Sequence, residues 1–439
     1  MSEKRTHISD QKWDQVLKSM DRREFIATSA AAGVLTMTPR FISSAFAGAP
    51  YKLGLLLPVT GTGANYADGG IKAVLNAVAD INSRGGLLGK HPMEVSYRDT
   101  HTKPDVAARE ARDVISRDNV QTIVGTYSSA CAMAIQEIIH ERKILHLAAT
   151  SNSSKIVNEN HTPYTYQFCP NSKMQSGSVV VAVAEMIKKN GWKTYVTIGQ
   201  DYEWGRDTQK GFVNALERKS PETKLNKDLW FKLGETEFSS YITAIMAAKP
   251  DFAYGAIAGK DNRTFIQQAQ GMGLFKRVAY PGGLISVTEM QQQKKSLPRG
   301  MIGLARCPFF AHLDEPLMQQ YMKMHRKKHG EDAYPTDWAC MHYDAIYGLE
   351  QGIKKAGSIE TEAVKKALKG ATLNTCRGKA TFRDCNNQLN IPAGYVGAVW
   401  DSPDYPFPIY DPKTMIIVKA EEVWTPTCDD VRKLQKKRA

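Results

Sequence analysis

The chain has 439 residues, of which 42% are hydrophobic and 23% charged, and its formal net charge is +13. This length allows two or three ordinary domains, and the composition is that of a globular protein. The basic residues are dispersed rather than gathered in a dense Lys/Arg patch with interleaved aromatic residues, so the sequence argues against a nucleic-acid-binding protein.

The first 47 residues have the layout of an export signal. The charged start "MDRREF" leads into a weakly apolar run, and Ala45-Phe46-Ala47 supplies an A-x-A cleavage site. The apolar run is too short to span a bilayer stably. The Arg22-Arg23 pair resembles the twin-arginine motif, although Ile26 and Ala27 stand where that motif prefers Leu and Lys. The alternative is an amphipathic N-terminal helix on a cytosolic protein.

Lipid anchoring is not expected, because no cysteine precedes Cys131 and a lipoprotein signal needs one at its cleavage point. We therefore expect residues 1–47 to be a cleaved, twin-arginine-like signal. The mature protein is expected in the periplasm, without a membrane anchor.

From residue 51 onward, strand patterns and helix patterns alternate. The strand-like segments are "YKLGLLLPV", "HPMEVSYRD", "QTIVGTY" and "ILHLAATS", and helical spacing follows each of the first three. Strand–helix alternation predicts a parallel sheet flanked by helices. The same rhythm restarts after about residue 171, with the strands "KTYVTIGQ", "FAYGAIAG" and "RVAYPGGLI".

The fold prediction is therefore an α/β protein with two Rossmann-like lobes. Near the end, the helical "MHYDAIYGLEQGIKKAG" precedes the strand-like "GKATFRD", which indicates that the chain crosses between the lobes more than once. We predict that residues 48–170 plus 308–380 form lobe 1 and residues 171–307 plus 381–439 form lobe 2.

Several segments resemble catalytic or cofactor-binding motifs but lack a required residue or spacing. "TGTGANYADGG" has Gly61-x-Gly63, but Tyr66 stands where the dinucleotide fingerprint needs its third glycine. "GGLLGKH" does not have Walker spacing, and "HERKILH" lacks the second histidine of H-E-x-x-H. "GTYSSA" is not a G-x-S-x-G nucleophile elbow. The sequence therefore predicts no cofactor, no metal and no enzyme activity.

Hydroxyl side chains follow two predicted strands, at the point where each strand ends. Ser128 and Ser129 lie after the third strand, and Ala149 and Thr150 lie at the end of the fourth. Ligands of open α/β sheets bind beyond the carboxyl ends of strands, and a helix that begins near Ser129 offers free N–H groups there. These donors suit a carboxylate, whereas the alternative is that a serine only caps the helix.

The sequence resembles the type I periplasmic solute-binding proteins of ABC importers, of the leucine/isoleucine/valine-binding kind. The resemblance covers roughly residues 51–400. It rests on the segments "LGLLLPVTG", "AVADINSRGGLLGKHPMEVSYRDT", "IVGTYSSA", "LAATS", "DYEWGRD" and "HYDAIYGLEQGIKKAG".

The resemblance implies two lobes joined by a three-crossing hinge that closes on a small-molecule ligand in the cleft. By the same resemblance, the ligand-binding residues would be Tyr66, Ser128, Ser129, Ala149, Thr150, Trp204, Gly259 and Gly283. The chain would deliver its ligand to membrane permease subunits whose ATPase is on separate chains, and a monomer is expected.

The ligand class stays open at this stage. Amino-acid-binding members generally place a second-lobe acid on the ligand ammonium, but the corresponding segment here reads "YPGGLIS". An aromatic or other organic acid, an amide and a branched-chain or other amino acid all remain candidates, and another acid such as Asp261 could reach the ligand. The alternative function is a periplasmic enzyme exported by the twin-arginine route, an oxidoreductase or a hydrolase.

The seven cysteines are an odd number, so at least one is unpaired within the chain. Cys376 and Cys385 flank "CRGKATFRDC", and in an oxidising compartment a disulfide between them is one interpretation. Buried free thiols are the other.

Overall fold

The computed structural model describes residues 47–423 and 426–436. Apart from Ala47, the predicted export signal lies outside the described residues. The first unit contains β1 (Tyr51–Leu57), α1 (Ala64–Ser83), β2 (Met93–Asp99), α2 (Pro104–Ser116), β3 (Thr122–Gly125), α3 (Ser129–Arg142), β4 (Leu145–Ala148) and β5 (Thr165–Gln167).

The five strands of the first unit form one parallel sheet in the order β2-β1-β3-β4-β5. β3 and β4 are buried at every residue and β1 at all but one. Apolar strands of this kind are stable only where helices cover both faces of the sheet. The strand order reverses between β1 and β3, and such a reversal opens a crevice at the carboxyl ends of the two strands.

The second unit contains α4 (Ser172–Asn190), β6 (Thr194–Gln200), α5 (Glu203–Lys219), β7 (Lys224–Phe231), α6 (Ser239–Ala248), β8 (Phe252–Ala256), α7 (Gly259–Gly271), β9 (Gly283–Leu284), α8 (Val287–Gln293) and β10 (Ile302–Ala305). β7, β6 and β8 are parallel neighbours in that order, and β9 pairs in parallel with β10. Its strand order reverses between β6 and β8, which places a second crevice at their carboxyl ends.

The remaining chain returns to both units. It contains α9 (Pro316–His329), α10 (Asp337–Ala356), α11 (Thr361–Leu368), β11 (Thr372–Thr375), β12 (Gly378–Phe382), β13 (Leu389–Asn390), β14 (Gly394–Trp400), β15 (Ile409–Tyr410), β16 (Ile416–Val418) and α12 (Cys428–Lys436). α10 packs along α1 of the first unit, and β14 pairs antiparallel with β10 of the second. The chain thus passes between the units after β5, after β10 and after β13, and the predicted fold class is confirmed.

The third passage lies later than the sequence pattern suggested. The predicted boundary at residues 380/381 falls inside β12, and the ring of Phe382 packs 5.0 Å from that of Tyr166 and 5.2 Å from that of Phe168. A bridge between Gln167 and Gln388 further attaches this hairpin to the first unit. The passage therefore follows Asn390.

The predicted Cys376–Cys385 disulfide is wrong. Cys385 pairs with Cys428 at the start of α12, a separation of 43 residues. Cys376 is a buried free thiol whose backbone N–H donates to Asp344 Oδ1 of α10 at 2.6 Å, so it lies on the inner side of its hairpin. The other free cysteines of the described residues are also buried: Cys131, Cys169, Cys307 and Cys340.

Candidate functional site

Four predicted site residues lie where the two sheet crevices face each other. Tyr66 follows β1 and Ser129 begins α3 after β3, whereas Trp204 follows β6 and Gly259 begins α7 after β8. Each residue lies in the first turn of the helix that follows one of the strands that flank a reversal of strand order. The topology alone therefore brings them to the space between the units.

The hydroxyl cluster is largely occupied by hydrogen bonds inside the first unit. Ser129 Oγ accepts from the backbone N–H groups of Asn152 and Ser153 at 3.2 and 3.0 Å. Thr150 Oγ1 donates to Thr126 O at 3.2 Å. These bonds leave the proton of Ser129 available to a ligand, whereas Thr150 would have to give up its present acceptor. Ser128 and Ala149 are buried beside them.

An aromatic cluster lies against this sheet edge. The ring centroids of Tyr66 and Trp338 are 4.1 Å apart, and Tyr127 lies 5.4 Å from Tyr66 and 5.8 Å from Trp338. A Cβ at Gly63 would lie 2.2 Å from the ring of Tyr127, so glycine there lets the loop after β1 approach that ring. Trp338 comes from the first turn of α10, far from the strand-end loops in sequence, and sequence reasoning missed it.

Arg306, directly after β10, is the most unusual residue of the site. Its side chain is buried, with its guanidinium carbon 4.7 Å from the ring centroid of Trp338 and 5.8 Å from that of Trp204. Its guanidinium makes one long hydrogen bond, from Nη1 to Thr150 O at 3.4 Å. Among residues 47–423 and 426–436, no carboxylate forms an ion pair with it.

Three buried donors in this group have no hydrogen-bond partner in the described chain: Arg306 Nε, Trp204 Nε1 and Trp338 Nε1. Since Arg306 contacts both indole rings, the three donors belong to one cluster. Buried polar groups are nearly always paired, and an unpaired donor costs about 1–3 kcal/mol. Such a cluster is typical of a site that receives an acceptor from a ligand.

Glu289, on α8, provides a buried acid on the second-unit side. Its Oε1 accepts from the Tyr66 hydroxyl at 2.6 Å, and the Tyr66 hydroxyl also accepts from the Gly259 N–H at 2.9 Å. Burial raises the pKa of Glu289 to about 7, although hydrogen bonds from Ser286 and Tyr66 lower it. Burial also raises the pKa of Asp261, the third residue of α7.

The segment "YPGGLIS" itself contains no acid, but Glu289, three residues after it, reaches the cleft. The absence of a local acid therefore does not argue against an ammonium-bearing ligand. A signal was present in the sequence, because Ser286 followed by Glu289 is a helix-capping pair that fixes where this carboxylate points.

The other predicted residues occupy distinct positions. Gly259 has a φ of +72°, and a Cβ there would lie 2.6 Å from Thr62 O, so its glycine permits close approach of the two units. Gly283 pairs with Gly303 inside the second sheet and lies against Tyr280. Its known contacts join it to the sheet rather than to the aromatic cluster.

The described residues contain neither a metal-ligand cluster nor a helix suited to a membrane. No cluster of three or more His, Cys, Asp or Glu side chains there could hold a metal ion. In the same residues, no helix is both long and apolar enough to cross a membrane.

This architecture is that of a protein that binds a small solute. Two α/β units joined by three chain passages face each other, and a buried cluster of unpartnered donors lies between them. The chain belongs to the periplasmic binding protein family, whose pattern matches residues 50–401. This family and its relatives are substrate-binding proteins rather than enzymes, which supports the expectation of no catalytic activity.

Similar proteins agree with that assignment. The leucine-, isoleucine-, valine-, threonine- and alanine-binding protein of Pseudomonas aeruginosa is 24% identical, with 80% of this chain and 90% of that protein covered. A periplasmic binding protein from Burkholderia mallei is 21% identical with a TM-score of 0.75, covering 86% of this chain and 97% of that one. An ABC-transporter solute-binding protein from R. palustris, solved with benzoate, is 20% identical with a TM-score of 0.70, covering 84% and 96%.

Proposed function

We propose that this protein is the periplasmic substrate-binding subunit of an ABC importer and that it captures a small carboxylate-bearing solute between its two units. The main support comes from Arg306, a buried guanidinium that lies against two tryptophans without an acidic partner among the described residues. A buried charge is costly unless it is paired, and a ligand carboxylate would supply the missing partner.

The geometry of the cluster favours a carboxylate over a neutral group. A guanidinium presents its donors as a planar fork that matches both oxygens of a carboxylate. The two unpartnered indole N–H groups and the free proton of Ser129 add further donors. The rings of Tyr66, Tyr127 and Trp338 would then enclose the body of the ligand.

The ligands named for similar proteins share this group. The Pseudomonas aeruginosa relative is named for amino acids, and the R. palustris structure contains benzoate. Both ligand types carry a carboxylate, which supports that part of the proposal. We keep aromatic or other organic acids and amino acids as candidate ligands, and the structure gives no argument for a neutral amide.

The protein would act in the periplasm. Residues 1–47 would be removed on export, and two lobes, residues 48–170 with 308–390 and residues 171–307 with 391–439, would close on the ligand. Ser128, Ser129, Ala149 and Thr150 would line the first-lobe side, with Trp204 and Gly259 opposite. The loaded protein, as a monomer, would dock on permease subunits whose ATPase is on separate chains. Its family and its export-type leader support this setting.

The test compares matched ligands on two variants. Benzoate against benzamide, and leucine against leucinamide, differ in the carboxylate, and calorimetry would measure their affinities. We expect at least one carboxylate to bind the wild type and its amide to bind far more weakly. Truncating one member of a buried charge pair costs about 2–5 kcal/mol, so Arg306→Met should weaken carboxylate binding by about 30- to 5,000-fold.

Arg109→Met is the control, because Arg109 is an exposed arginine paired with Glu110. It should leave the affinity unchanged. Equal affinity of the wild type and Arg306→Met for a bound carboxylate would remove Arg306 from the site, and a preference for the amide would reject the ligand class.

A further inference from the structure

One phenol joins two separate helices of the opposite unit. Tyr66, on α1, donates to Glu289 of α8 and accepts from the backbone N–H of Gly259 at the start of α7. Tyr66 is 2% exposed and Glu289 3% exposed, so both groups are withdrawn from water. Because the partners lie on different units, neither bond can survive a separation of the units at this point.

The two oxygens of Glu289 have different tasks. Oε2 accepts from Ser286 N–H at 2.9 Å and from the Ser286 hydroxyl, which completes the N-terminal cap of α8. Oε1 is not needed for the cap and is directed across the cleft to Tyr66. The cap thus holds the carboxyl in place in either state, while the cross-cleft bond depends on the position of the first unit.

Burial disfavours the charge of Glu289 more than its hydrogen bonds from Ser286 and Tyr66 favour it. The titratable groups coupled to it are Tyr66 of α1, Tyr127 after β3 and Tyr410 of β15; Arg306 and Asp261 act on Tyr127, and Asp337 acts on Tyr410. Asp337 is a second buried acid, bonded to the N–H of Val287. No Lys, Arg or His of the described chain forms an ion pair with Glu289, and Arg306 acts on Tyr127 instead.

We propose that Tyr66, Glu289 and Gly259 form a proton-dependent latch, in which closure of the units makes both bonds and Glu289 takes up a proton as it is buried. This proposal rests on the proposed function only in treating the two units as parts that open and close.

The direction of the pH effect follows from the coupling between proton binding and closure. In an open protein Glu289 would face water with an ordinary pKa near 4.3, whereas in the closed structure its pKa is about 7. The closed state binds the proton more tightly, so acidification favours closure. With these two values, the ratio of closed to open protein should rise about 30-fold between pH 8.5 and pH 5.5.

The experiment measures the distance between the units without any ligand. Lys103→Cys in the first unit and Lys232→Cys in the second provide exposed positions for spin labels, since the described free cysteines are buried. Double electron–electron resonance would give the distance distribution of the mature protein at pH 5.5 and pH 8.5. The variants on this background are Glu289→Gln, Tyr66→Phe and the control Glu185→Gln, an exposed acid paired with Lys188.

We expect the wild type and Glu185→Gln to shift toward the shorter distance at pH 5.5. Glu289→Gln should give the same distance distribution at both pH values, because the amide cannot ionise; its single oxygen can accept from Tyr66 or from the Ser286 N–H but not from both. Tyr66→Phe should lose short-distance population at pH 5.5, and circular dichroism would verify that each variant is folded.

A wild-type distribution that is the same at both pH values, or a pH response that survives in Glu289→Gln, would overturn the latch. Should Glu289→Gln not fold, Tyr66→Phe decides, and unchanged short-distance population in it at pH 5.5 would also overturn the proposal. Because no ligand is added, these outcomes are independent of whether Arg306 binds a carboxylate.

Discussion

Replacement of Ser129 by alanine should destabilise the ligand-free protein. A serine that served only to bind the ligand would not have this effect. Its hydroxyl oxygen accepts two backbone hydrogen bonds, from Asn152 at 3.2 Å and from Ser153 at 3.0 Å. All three residues are at most 2% exposed, so water cannot replace the lost acceptor.

The expected loss of stability is set by the two N–H groups that would lose their acceptor. A buried donor left without a partner costs about 1–3 kcal/mol, so the loss of two such bonds in Ser129→Ala should lower the free energy of unfolding by about 2–6 kcal/mol. Thr150→Val should cost less, about 1 kcal/mol, because Thr126 O keeps the hydrogen bond from the Ser151 hydroxyl when it loses that from Thr150.

Urea unfolding of the ligand-free mature protein, followed by circular dichroism, provides the assay. Ser83→Ala is the control, because the Ser83 hydroxyl bonds Asp80 O on an exposed helix end, and its effect should be within about 0.5 kcal/mol. The reasoning would be refuted if Ser129→Ala unfolded at the same urea concentration as Ser83→Ala. In that case the serine would serve the ligand alone.

Three further outcomes can be measured. Cys428→Ser should lower the free energy of unfolding by about 4 kcal/mol, since the disulfide closes a 43-residue separation, and added reductant should then have no further effect on the melting temperature. Burial lowers the pKa of His146 to about 4, so the folded protein holds fewer protons than the unfolded chain between pH 6.5 and 4. The free energy of unfolding should therefore fall over that interval by up to about 3 kcal/mol from this residue, and His146→Gln should show a correspondingly smaller loss in urea titrations at pH 7 and pH 4.5. Changing Arg22 and Arg23 to Lys should leave precursor in the cytoplasm, and unchanged export in cell fractionation would contradict the twin-arginine interpretation.

The fold could be predicted from sequence because its signals are local. Buried strands such as β1 are apolar nearly throughout, and each is followed by helical spacing, so the alternation marks a parallel sheet. The rule that ligands lie beyond strand ends pointed to Ser129, whereas Tyr66, Trp204 and Gly259 were expected from the family resemblance. These residues share a position in the strand–helix repeat, which is what a single sequence reveals.

Residues outside that repeat were missed. Arg306 stands in the apolar run "MIGLARCPFF", where a lone charge at a strand end was the available signal. Glu289 belongs to a helix cap, and Trp338 reaches the cleft only because α10 packs along α1. Such meetings depend on the chain returning to the first unit, and local spacing contains no information about them. The disulfide was mispredicted for the same reason, since the pairing considered was the nearby one, and the partner of Cys385 lies 43 residues along the chain.

The Cys385–Cys428 bond has a mechanical consequence for the molecule. Cys385 lies in the hairpin held to the first unit by Asn386 and Asn387, whose side chains bond Asn158 and Thr165 there. The chain leading to Cys428 has just left the second unit, where Val423 packs on Gly177 of α4. The bond is thus a fourth covalent tether between the two halves, in addition to the three passages of the main chain. An added tether removes rotational freedom, so any torsion of one half about the other would be more restricted with this bond than without it.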